Sequence, residues 1–490
     1  MARVSLPSGM DRRLAALAVA APLALAACGS SSSPASAAVS CAAPAIADGG
    51  SVALQAPATV YQADQCVLPI AAPLAAGSQA LGQARVGTRL TFTVPPDTSA
   101  LSIVSQAVAG TAPDHITYQG VDIPNSVVPT QILSADGTIS YDDLAPPPPG
   151  MDPLPGVAVF YGALSPADGT MTLPDTSSLL GRVDASGLPA GTWSLVVNDF
   201  AYECFVTGDP SCTGGSDRGV YDVRVLTRAG GAPRRGTLDL AVYVVSKTWT
   251  SSSLRADPGF TRLVASIQGI LSRAGICLGS VTVFDVPQWA RDLWFSVDVD
   301  LAGPCDPLAQ LFTLAQPLDA VHLFLADELT SSANSATQQV AGVDGTIPGP
   351  SGVPGGVSSG AVVALGADVE GCSGAFDPVH CGSDFLAYIS AHEIGHWLGL
   401  YHPTEMTGDA FDPLSDTPTC ACSACVPAAS RAVCGASKNP TPVYPDSCLS
   451  NGSSCGGGRN LMFWIYQDGV STGELTGQQA GVMRLNPAVH

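Results

Sequence analysis

Charge is scarce in this chain. Only 12% of its 490 residues are charged, and 20 Lys and Arg stand against 41 Asp and Glu, a net charge of −21. A nucleic-acid partner is thereby excluded as an expectation, because phosphate binding needs a basic face. Aromatics stop at 6%, and the low charge argues against long, salt-bridged helices. What is abundant is Ala, with 52 Gly and 40 Pro, a composition that suits small-residue β structure with many turns. The length is too great for one ordinary domain and suggests two or three.

Long apolar runs are also missing, with one exception at the N-terminus. There Arg12 and Arg13 precede the run Leu14 to Ala27, which is too short to cross a bilayer as a mature helix and ends in small residues before Cys28. This is the pattern of a secretion signal. The stretch Leu25-Ala26-Ala27-Cys28 resembles a bacterial lipobox. That resemblance implies residues 1–28 as a lipoprotein signal peptide, Cys28 as the lipidated mature N-terminus, and a location on the bacterial cell envelope, outside the cytoplasm. An ordinary signal peptide is the alternative. Residues 29–40, rich in Ser and Ala, read as a flexible tether.

Of fifteen cysteines, fourteen remain once Cys28 is set aside, and an even number outside the cytoplasm points to disulfides. Sequence neighbours suggest Cys41 with Cys66, Cys204 with Cys212, Cys277 with Cys305, and Cys372 with Cys381. Six more, Cys420, Cys422, Cys425, Cys434, Cys448 and Cys455, are either disulfide staples or, around "CACSAC", a second metal site.

From Cys41 to about residue 231, short β-rich runs such as "RLTFTVP", "LSIVSQAV", "VAVFYGAL", "TWSLVVNDF" and "VYDVRVLT" alternate with Pro and Gly. They predict an all-β sandwich or jelly roll. The linker "RAGGAPRRG" marks a boundary, and a second domain over 236–490 follows. In it "LDLAVYVVS" reads as a buried strand. Asp257 as N-cap, Pro258 in the first turn and apolar residues at 260, 263, 264, 267, 270 and 271 predict a helix. "SVTVFDVP" and "LDAVHLFLAD" continue as strands, so a β-α-β unit opens an α/β domain with a mixed sheet. Residues 342–360 read as a loop before an edge strand, "GAVVAL".

Histidine is rare, seven in all, yet three lie in "HEIGHWLGLYH", at His392, His396 and His402. A helix capped by Ser383 or Asp384 and carrying "DFLAYISAHEIGHWLG" would place His392 and His396 one turn apart, about 6 Å along the axis, on one face. Gly399 is suited to end that helix and turn the chain back, which brings His402 to the same point. Three neutral nitrogens leave a fourth tetrahedral position for water, the arrangement of a catalytic zinc site. Glu393, beside the first ligand, is the candidate general base. His115, His322, His380 and His490 lack ligand spacing.

The segment "HEIGHWLGLYH" resembles the active-site helix and turn of the metzincin metallopeptidases, and within them the pappalysin group. "GDAFDPLSDTP", "NLMFW" around Met462, and "LTGQQAGVMRL" resemble the features that follow it there. The resemblance implies that Met462 is the Met-turn methionine, that the 236–490 domain is a metzincin-like α/β (α+β) zinc peptidase, and that the substrate is a protein or peptide. Pappalysins carry Tyr two residues after that Met; here it is Trp464, which is expected to pack under the zinc or line the substrate cleft. Asp409, Asp412 and Asp416 are oxygen donors that could hold Ca2+, an ordinary Asp-rich turn being the alternative. Thr476 and Gln479 make an independent capping box. Two functions follow: a zinc-dependent endopeptidase with Glu393 as base, or a catalytically weak zinc-containing binding lipoprotein.

Overall fold

The structure is a computed structural model that describes residues 38–52, 78–108, 115–118, 121–124, 126–137, 140–142, 168–174, 176, 187–200, 220–230, 233–300, 307–331, 339–356, 358–366, 369–429, 431, 434, 442–449 and 455–490. Cys28, most of the tether, "VAVFYGAL" and Cys66, Cys204, Cys212 and Cys305 lie outside these residues. The protein is a mixed α/β molecule with several sheets.

After a first strand, β1 (Ala45–Ser51), the chain forms β2 (Ser78–Arg85), β3 (Arg89–Val94), β4 (Thr98–Ala107), the pair β5 (His115–Tyr118) and β6 (Val121–Pro124), β7 (Ser126–Leu133), β8 (Ser140–Asp142), β9 (Asp168–Leu173), β10 (Gly191–Phe200) and β11 (Val220–Ala229). Two antiparallel sheets result, ordered β3-β10-β7-β8 and β2-β11-β4-β9. Alternation explains how they pack. On β11, Tyr221, Val223 and Val225 are buried while Asp222 and Arg224 face outward. The buried set meets Phe92, Trp193 and Leu195 of the other sheet in one shared core.

The second half continues with β12 (Gly236–Val245), α1 (Ser251–Ala256), α2 (Pro258–Leu271), β13 (Ile276–Asp285), α3 (Gln288–Trp294), β14 (Ser296–Asp298), α4 (Pro307–Phe312), β15 (Val321–Ala326), β16 (Glu328–Thr330), β17 (Gly342–Asp344), β18 (Ala361–Ala364), α5 (Gly382–Trp397), α6 (Cys422–Cys425) and α7 (Gly477–Leu485). Six strands form one sheet in the order β1-β13-β12-β15-β18-β17, parallel except for β17. Strands β12 and β15 are buried on both faces because both faces are covered. One face packs on α2 and α5 and the other on α3 and α4. The expected caps form: Asp257 accepts from the Gly259 N–H at 2.7 Å, and Thr476 and Gln479 cap each other.

Several expectations need correction. The segment from Cys41 does not open the two-sheet unit: β1 runs parallel to β13, with Ala45 opposite Ser280. That register sets Cys41 beside Cys277, and these two form the disulfide, which overturns both the Cys41–Cys66 and the Cys277–Cys305 pairings. A short strand reading AIADGGS has too few apolar residues to announce its partner. Cys372–Cys381 forms as expected. The six late cysteines are all consumed as Cys420–Cys448, Cys422–Cys434 and Cys425–Cys455, which removes the second metal site. "GAVVAL" is second from the edge, because the three-residue β17, unreadable among glycines, pairs outside it. The helix that carries His392 and His396 starts at Gly382 with Cys381 as N-cap, and Ser383 and Asp384 lie inside its first turn.

Candidate metal centre

Helix α5 is buried along almost its whole length, and Gly399, with φ of +105°, ends it as the sequence suggested. The chain then folds back, so His392 and His396 on the helix meet His402 beyond it. The Nε2 of His396 lies 3.1 Å from the Nε2 of His392 and 3.1 Å from that of His402.

Each imidazole is fixed from behind. His392 Nδ1 lies 2.7 Å from the Leu461 carbonyl, His396 Nδ1 2.7 Å from the Leu400 carbonyl, and His402 Nδ1 3.1 Å from both oxygens of Glu405. These partners only accept, so in a neutral ring Nδ1 carries the proton and Nε2 presents the lone pair. Three lone pairs aimed at one point repel one another unless a cation lies between them. Nitrogens about 2.0–2.1 Å from a shared tetrahedral centre would be about 3.3 Å apart, close to the spacing seen. Burial, and then the charge of His402, pushes His392 down to about 3; burial and the other two histidines hold His396 well below its usual value. Both are therefore neutral at pH 7, as ligands must be. Among the described residues this is the one group of three or more His, Cys, Asp or Glu able to hold a metal ion.

Glu393 is 3% exposed, and its Oε2 has no hydrogen-bond partner. Burial raises its pKa, which a bond from the Asp344 backbone opposes. Gly342 on the edge strand lies against it: a Cβ there would come within 2.6 Å of Glu393 Oε1. Below the ligands, Met462 is fully buried with its sulfur under Gly395, where a Cβ would collide with it. Trp464 is 5% exposed, packs among the late disulfides with Val443 and Phe463, and donates its indole N–H to the Val443 carbonyl at 2.6 Å. It is a packing residue there, and its only donor is taken.

The three aspartates do not gather into a calcium site among the described residues. Asp409 accepts from Thr407; Asp412 accepts from Thr417 and the Leu414 N–H; Asp416 accepts from the Gln478 N–H. Glu405, Gly342 and the Leu461 carbonyl were missed from sequence. Of these only Glu405 left a trace, as a carboxylate three residues beyond the last histidine.

No protein-family description matches the chain, and no curated protein does. Among solved structures, metalloproteinase-II from Bacteroides fragilis is similar over 39% of this chain, at 14% identity and a TM-score of 0.20. The chain spans 56% of that protein's length. A likeness at that level decides nothing about function, which rests on the site.

Proposed function

We propose that this protein is a metzincin-type endopeptidase whose zinc is held by His392, His396 and His402, and that it is tethered outside the cytoplasm through a lipid on Cys28. One observation carries the reading: three lone-pair nitrogens converge beside a buried carboxylate with a free oxygen. A structural zinc site closes its fourth position and needs no such carboxylate.

When bound, zinc supplies Lewis acidity, lowering the pKa of a coordinated water to about 7 and polarising a carbonyl. Glu393 takes the proton of the attacking water and delivers it to the leaving amine. Its burial favours the first step, since a carboxylate whose pKa is raised from its ordinary value is a stronger base. Glu405 and the Leu461 and Leu400 carbonyls hold the rings so that the ligand nitrogens stay aimed. The two-sheet unit and the 236–490 domain are proposed as separate domains, and a peptide as the substrate.

The test pairs metal with turnover in the purified ectodomain. Elemental analysis should find one zinc per chain, and each of His392→Ala, His396→Ala and His402→Ala should lower it. Glu393→Gln should keep the metal and reduce peptide hydrolysis by about 10²–10⁴-fold. The second reading, a zinc-containing binding lipoprotein, is favoured by Trp464, whose buried indole offers nothing to a reacting group. Equal, slow turnover of a peptide library by wild type and Glu393→Gln would select it.

A further inference from the structure

The turn that carries the chain from His396 to His402 is held from two sides. From the helix, the Leu400 N–H donates to the Gly395 carbonyl at 3.0 Å, and the Gly399 N–H to the His396 carbonyl at 2.8 Å. From the other side comes Thr176, a residue of the two-sheet unit three positions beyond β9. It is fully buried, and both of its donors meet at one acceptor: its N–H lies 3.0 Å and its Oγ1 2.6 Å from the Gly399 carbonyl.

The Gly399 carbonyl and the Leu400 N–H belong to one planar peptide. Thr176 therefore fixes one edge of a unit whose other edge the helix fixes. The next carbonyl, that of Leu400, accepts the proton of His396 Nδ1, and His402 follows two residues later. A second line of contact runs in parallel. Arg228, in β11, donates to the Asn486 carbonyl at 2.9 Å, and Asn486 Nδ2 reaches the Trp397 carbonyl at 3.4 Å. Val104 and Leu226 of the two-sheet unit pack on Val353.

We propose that Thr176 is a positioning residue for the metal centre, and that the two-sheet unit is thereby a working part of that centre. The inference rests on the metal-binding reading of the three histidines. It assigns to the N-terminal half a contribution to metal affinity through Gly399–Leu400. Outer groups that orient metal ligands change affinity by about 10–100-fold when lost.

The experiment titrates Zn2+ into the metal-free ectodomain against a chromophoric chelator, with the visible spectrum of the Co2+ form as a second readout. Thr176→Val keeps the backbone donor and loses the hydroxyl; it should weaken zinc binding by about tenfold and alter the cobalt spectrum. Thr176→Ser, which restores the hydroxyl, should bind within about twofold of wild type. Ile103→Val, which loosens a core cluster of the same unit that includes neither Thr176 nor Gly399, should leave affinity unchanged. Coupling is reciprocal, so zinc should slow hydrogen exchange at the Thr176 amide in the wild-type protein. Unchanged affinity in Thr176→Val, an equal loss in Ile103→Val, or no change in exchange would each overturn the proposal. A wild type that binds zinc without cleaving peptides sinks the enzyme reading and leaves this one standing; a wild type that binds no zinc sinks both.

Discussion

Glu393 has no room to wander, because Gly342 presses on it from the edge strand. A methyl at Gly342 would sit 2.6 Å from Oε1 and 2.8 Å from Ile389 Cγ2, so the carboxylate must shift. Gly342→Ala should leave zinc content at one per chain while turnover falls at least about tenfold, near 1.4 kcal/mol in the barrier; metal analysis beside a peptide assay reads both. His322 shows a different use of burial. It is 3% exposed and bonded through Nδ1 to Tyr243 Oη at 3.0 Å, and burial pushes its pKa down to about 4. Below about 6.5 the unfolded chain takes up a proton there that the folded one refuses. Stability is therefore intact above that pH and falls as pH drops toward 4, by roughly 3 kcal/mol. His322→Gln, neutral at every pH, should flatten the difference between denaturant midpoints at pH 7 and 4.5. At this scale the cluster of His392, His396 and His402 was legible in the sequence, because its spacing is local. The sequence hid what braces them, since the Leu461 carbonyl lies 69 residues from His392 and Thr176 lies 223 from Gly399.

Helix α5 is fastened to α2 by a buried charge. Asp384, fully buried, accepts from Arg262 at 2.7 and 2.6 Å, from Ser266, and from the Asp377 N–H at 2.7 Å. Burial opposes the charged form, but these donors outweigh it and hold the carboxyl below its ordinary range. The contribution is present above the unfolded value and is lost only as pH falls through the lower folded one. Arg262→Ala would strand the carboxylate in the core and should destabilise the protein by about 3–5 kcal/mol, measured by denaturant unfolding at pH 7. The bridge also explains a misreading. Asp384 carries the composition of an N-cap, yet its side chain serves a tertiary contact, and the helix opens two residues earlier with no side-chain cap. Helix α2 was legible because Asp257, Pro258 and the apolar spacing all agree, whereas β17, three residues among glycines, carries no such signal.

At the scale of the molecule, the chain enters the six-stranded sheet at β1, leaves it to build the two-sheet unit, and returns at β12. The two-sheet unit is thus flanked on both sides by strands of one sheet, and β1 is fastened to β13 by six pairings and the Cys41–Cys277 disulfide. Sequence alone did not show where β1 goes, because which sheet a short strand joins is settled by long-range pairing, which no local pattern encodes. A consequence follows for any processing between β1 and β2. A single cut in the segment 53–77 would divide the chain, but the piece bearing β1 would stay attached through the disulfide and the parallel ladder. Limited proteolysis there should give one species on a non-reducing gel and two on a reducing gel. The cut protein should keep its zinc, because the fragment is held at the strand farthest from β17 and Glu393. Cys41→Ser together with Cys277→Ser should release the β1 piece on mild denaturation, at a denaturant concentration below that which unfolds the uncut chain. Release of that piece from the intact-disulfide protein without a reductant would mean that Cys41 has another partner in solution and that β1 does not belong to this sheet.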